Sequence, residues 1–115
     1  MMCSAYFGKI KGVYLENWKD RNDNPYEIFE TSIDLFGKGH ELLYSGDDYF
    51  FDKIKLDWGS FAWKCSKEQI MSFLQEKKTT LPWLIESEEE ILEKVSNFIQ
   101  EQGDVQYGVV FVEEY

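Results

Sequence analysis

Residues 86–115, ESEEEILEKVSNFIQEQGDVQYGVVFVEEY, decide the fold class. Ser87-Glu88-Glu89-Glu90 fits a capping box, in which Ser87 accepts from the Glu90 N–H and Glu90 reaches back to the Ser87 N–H. Three carboxylates in a first turn also suit the positive end of a helix dipole. Behind them Ile91, Leu92, Val95, Phe98, Ile99 and Gln102 recur at helical spacing, apolar in all but the last position. Gly103 is a left-handed stop. The spacing predicts a helix over 88–102. Val105–Tyr115 then reads as a strand. Val109-Val110-Phe111-Val112 is apolar at consecutive positions, hence on both faces, which predicts an interior strand covered on two sides.

Working backwards, Ser66-Lys67-Glu68-Gln69 is a second capping box, with Ile70, Met71, Phe73 and Leu74 as the buried stripe of a helix over 67–78. Residues 49–58 alternate, with Phe50, Ile54, Leu56 and Trp58 to one side. Gly59-Ser60 turns the chain, and Phe61–Cys65 returns to complete a hairpin. Ala5–Leu15 reads as a first strand, with Gly8 and Gly12 as bulges or close contacts. Asn24-Pro25-Tyr26-Glu27 resembles a helix start with proline at the first position. Tyr26, Phe29, Ile33 and Phe36 follow at helical spacing, so a helix is expected over 25–36, although Phe29, Thr31, Ile33 and Leu35 also alternate as a strand would. Gly37–His40 is expected as a loop, Glu41–Tyr44 as a short strand or turn, and Ser45–Asp48 as a turn. Residues 79–84 are read as a connector bent at Pro82 and pinned by Trp83. Interspersed helices and an antiparallel hairpin predict a single α+β domain spanning 1–115. Its expected form is a mainly antiparallel sheet of four or five strands packed against two or three helices.

Composition narrows the function classes. A chain of 115 residues with 43% apolar and 17% aromatic residues is expected to bury a core without staples. The net charge is −10. Nine acids and one base fall in residues 79–115, a surplus of eight negative charges, against thirteen acids and eleven bases before them. Such a balance argues against binding nucleic acid or anionic lipid through bulk electrostatics. The first twelve residues lack the apolar core of a signal peptide, and no apolar run approaches a membrane span. A cytoplasmic protein is expected, with Cys3 and Cys65 as reduced thiols.

No catalytic signature stands out. His40 is the sole histidine, and nothing in the sequence brings it beside either cysteine, as nucleophilic catalysis requires. Gly37-Lys38-Gly39-His40 lacks the spacing of a phosphate loop. Asp47, Asp48 and Asp52 lack the ligand pattern of a calcium loop and are expected as turn acids. No metal or cofactor is implied. The expectation is a non-enzymatic, protein-binding inhibitor, such as an immunity protein that neutralises a basic toxin. Glu88, Glu89, Glu93 and Asp104 would form its carboxylate surface and Trp18 an aromatic anchor. Alternatives are a nucleic-acid mimic, with carboxylates in rows over the whole molecule, a small enzyme built on His40, and a structural subunit.

Overall fold

The computed structural model describes residues 2–78 and 87–114. In chain order these are β1 (Met2–Ile10), α1 (Gly12–Leu15), a 3-10 turn (Pro25–Ile28), β2 (Phe29–Asp34), α2 (Gly39–Tyr49), β3 (Phe51–Lys55), β4 (Phe61–Cys65), α3 (Lys67–Glu76), α4 (Ser87–Gln102) and β5 (Tyr107–Glu114). The strands form one antiparallel sheet in the order β2-β1-β5-β4-β3. The architecture is α+β, as the sequence predicts.

The apolar run of β5 explains its place at the centre. Val109 and Phe111 join the larger core beneath α2, α3 and α4, with Phe7, Trp63, Phe73, Val95 and Phe98. Val110 and Val112 point to the other face and pack with Ile10, Ile28, Ile54 and Leu56. Each such buried side chain stabilises the fold by about 1.5–3 kcal/mol relative to exposure. Among the described residues no long helix lies on the second face. It is covered by the β1–β2 connection, through Ile28 and the half-buried Tyr14, Leu15 and Trp18.

Two predicted helices are present within two residues of their expected ends. At α3, Ser66 Oγ accepts from the Gln69 N–H at 3.1 Å and Gln69 Oε1 accepts from the Ser66 N–H at 2.9 Å, completing the box. At α4, Ile91, Val95 and Phe98 are buried, and Gly103 ends the helix at φ 72°. The Ser87 cap and the Pro82–Trp83 connector lie outside the described side chains and residues.

Four readings are corrected. The 25–36 segment is one 3-10 turn followed by β2. Asn24 Oδ1 caps the Tyr26 N–H at 2.9 Å, but Tyr26 and Phe36 are exposed, so the helical stripe is never buried as one face. Pairing with β1 selects the strand alternation instead. Residues 39–49, expected as loop, short strand or turn, turn and, at Tyr49, the start of a strand, form α2. Its glycines serve packing: a Cβ on Gly39 would overlap the Cys3 carbonyl, and one on Gly46 would lie 2.7 Å from the Trp63 ring. Finally, β1 runs from Met2 to Ile10 and gives way to α1. β3 shrinks to Phe51–Lys55, with Asp52 at φ 52° and the pairing irregular between Phe51 and Ile54. That irregularity breaks the single alternation expected of 49–58. Phe50 packs in the helix-side core, Ile54 and Leu56 in the other, and Trp58 is exposed at the hairpin tip.

Candidate partner-binding surface

A buried ion pair organises the acidic end of the molecule. After β2 the chain turns at Gly37, in the left-handed conformation (φ 78°), and Lys38 donates its N–H to the Leu35 carbonyl. The Lys38 side chain is fully buried. Its Nζ donates to both Glu88 oxygens, at 2.7 and 2.6 Å, and to the Lys77 carbonyl at 2.8 Å. One ammonium therefore joins the start of α2, the C-terminus of α3 and the first turn of α4. A cation on the last carbonyls of one helix and a carboxylate at the first turn of another are both favoured by the helix dipoles.

Glu88 is thereby corrected: it is buried against Lys38 rather than presented to a partner. The signal was present in the sequence. Glu88 lies three residues before Ile91 and seven before Val95, in phase with the buried stripe. Glu89, Glu90 and Glu93 turn outward on α4. Phe36, about half exposed (51%), meets the same helix at Lys94, whose Nζ lies 5.1 Å from its ring centroid. Phe36 was missed because a helix over 25–36 assigns it to a buried stripe. Its exposure follows from its position two residues beyond the end of β2.

The other two expected surface residues lie elsewhere. Asp104 follows Gly103 at the far end of α4, a 16-residue helix about 24 Å long. Its Oδ1 accepts from Lys67 Nζ at 2.7 Å. That hydrogen bond, with the Lys67 charge, holds the Asp104 carboxyl below its ordinary value and raises the Lys67 ammonium. Trp18 packs on the opposite sheet face, away from α4. Its Nε1–H donates to the Asp52 carbonyl at 2.6 Å, and Lys64 Nζ sits 5.7 Å from its ring centroid. Of the five expected residues, only Glu89 and Glu93 share a surface.

Neither thiol is activated. Burial pushes the Cys65 thiol far up, and burial followed by the Glu113 charge raises Cys3; both oppose thiolate formation. His40 is exposed in the first turn of α2. Asp47 accepts from Trp63 Nε1 at 3.0 Å, and Asp52 lies 3.6 Å from Lys64 Nζ, so these turn acids serve separate partners. Among the described residues no group of three or more His, Cys, Asp or Glu side chains could hold a metal ion. No helix among them is long and apolar enough to cross a membrane. No protein-family model matches the chain, and no curated protein or solved structure is significantly similar to it.

Proposed function

We propose that this chain is a protein-binding module that docks on and inhibits a cationic partner, as an immunity protein neutralises a basic toxin. One observation carries the reading. Phe36 stands half exposed against Lys94 of α4, the helix that turns Glu89, Glu90 and Glu93 outward and whose first turn is tied down by the buried Lys38–Glu88 pair. An aromatic side chain that becomes desolvated within a ring of contacts that exclude water is the usual anatomy of a binding hot spot. The outward carboxylates add long-range steering of an oppositely charged protein. Lys53, Lys55 and Lys64 sit on β3 and β4, away from this corner. The outward face of α4 carries Glu89, Glu90, Glu93 and Glu101 against the one base Lys94, which favours one acidic docking patch over the carboxylate rows of a nucleic-acid mimic.

The test is capture by the immobilised full chain from its own cells, followed by binding kinetics with the purified protein retained. One basic protein that binds at low salt is expected. Phe36→Ala should accelerate its dissociation. Charge reversal at Glu89 and Glu93 should slow its association and flatten the salt dependence. Capture that survives both changes, or a partner of net negative charge, overturns the reading.

A further inference from the structure

The two edges of the sheet are finished differently. The outer edge of β3 is closed by the chain itself. The Arg21 N–H donates to the Lys55 carbonyl (3.0 Å) and the Asp57 N–H to the Asp23 carbonyl (3.1 Å). The Lys55 N–H donates to Asp20 Oδ1 at 2.9 Å, and Trp18 Nε1–H takes the Asp52 carbonyl. Lysines at 53 and 55 and the left-handed Asp52 complete a protected edge.

The β2 edge has none of these devices. β2 is the last strand on its side, and its sequence FETSID contains neither lysine nor proline. The Leu35 N–H donates to the Ala5 carbonyl at 2.8 Å. By antiparallel alternation Ile33 and Thr31 also turn their backbone toward β1, while Ser32 and Asp34 turn theirs outward. Among the described residues no strand lies outside β2, and no other backbone group is bonded to that of Ser32. The pairing shifts register beside Lys9 and Ile10, which confines the regular edge to the stretch after Glu30.

What surrounds this edge is acidic. Glu30 on the strand is paired with Lys9 at 2.7 Å, so the charge beside this edge is that of α4, which packs against β2 and turns Glu89, Glu90 and Glu93 outward against the one base Lys94. Phe36 marks the end of the edge. We infer that the β2 edge takes up an extended, lysine- or arginine-bearing segment of the cationic partner as an added strand of the sheet. The inference rests on the proposed function and names the binding mode of that same corner. Backbone pairing supplies affinity in such an addition, and alternate side chains supply the choice of partner. A basic segment fits the surrounding charge. A second copy does not, because it would bring its own net charge of −10 and its own α4 to the same place.

The probe is the synthetic peptide Lys-Val-Lys-Val-Lys-Val, titrated into the full chain and followed by amide NMR. Two control peptides accompany it. One has glutamate for every lysine. The other is N-methylated at the central two residues, which removes ladder donors on both peptide edges and keeps the charge. The lysine peptide is expected to shift the Ser32 amide and slow its exchange. The N-methylated form should bind about tenfold more weakly or worse, and the glutamate form not at all. Ser32→Pro, which removes an outward N–H, should abolish the response. The inference is overturned if both lysine peptides bind equally, if neither binds, or if the free protein self-associates through an edge that Ser32→Pro disrupts. Binding that is insensitive to N-methylation but lost on charge reversal at Glu89 and Glu93 removes the added strand and leaves the acidic docking surface standing. Binding that needs the ladder but ignores those charges does the reverse.

Discussion

The two ends of α4 carry the same chemical contact in opposite surroundings. At its start Glu88 meets Lys38 at 2.6 Å, with side chains 9% and 0% exposed. Just past its end Asp104 meets Lys67 at 2.7 Å, with side chains 97% and 39% exposed. Distance does not separate them; solvent does. The exposed pair gains little, because water and salt screen it and two long side chains must be ordered. The buried pair is costly to assemble, yet once assembled neither partner can be removed cheaply. It joins three helical ends, whereas the exposed pair decorates one corner.

The largest effect is expected from breaking the buried pair on one side. Glu88→Gln or Lys38→Met should each lower the unfolding free energy by about 3–5 kcal/mol, read from denaturant midpoints, because an uncompensated group stays in the interior. The double change Lys38→Met with Glu88→Leu should recover most of that loss. A double variant as unstable as either single one would show that the pair does more than neutralise itself.

Salt sharpens the contrast further. At about 1 M salt the screening length falls to about 3 Å. The loss caused by Glu88→Gln should be the same at low and high salt. The Asp104 carboxyl, followed by NMR, should instead move up toward its ordinary range as salt rises, and Lys67→Met should remove the depression at any salt.

The smallest effect concerns pH. The folded Asp104 value lies below its unfolded one, so what stability it adds is present above 3.8 and lost as pH falls through the lowered value. Lys67 is shifted upward, so its contribution is present below 10.5 and lost as pH rises through the raised value. Between those limits Asp104→Asn should leave the midpoint's pH profile parallel to that of the unmodified protein. A slope near neutrality would mean that the exposed pair is coupled to something else.

Legibility of the fold tracked how strongly one pattern ruled out the other. α4 and β5 could be read because a long 3.6-residue stripe and a four-residue apolar run each admit one structure. α3 and the return strand β4 were legible for similar reasons, helped at α3 by the cap at Ser66. Residues 25–36 carried both periods at once, and only a neighbour in space, β1, decided between them. α2 was hidden because Gly39 and Gly46 look like turn residues until Cys3 and Trp63 are seen pressing against them. The acidic corner was half legible. Charge placed Glu89 and Glu93 outside, but a carboxylate in phase with a buried stripe gains meaning only when its cation, Lys38, arrives from fifty residues upstream. Trp18 looked like an anchor by residue type, and its real partner, the Asp52 carbonyl, lies thirty-four residues away.

The central position of β5 also sets an order of events. β1 and β2 pair with each other, as do β3 and β4, but β5 alone joins the two ribbons. During synthesis both ribbons leave the ribosome before residues 107–114 exist, and an isolated two-stranded ribbon is marginal in water. The sheet therefore closes late, in a step that brings residue 2 against residue 114. Pairing across such a sequence separation is slow. Until it is complete, the inward faces of both ribbons and the α3 stripe remain open to other chains in the cell.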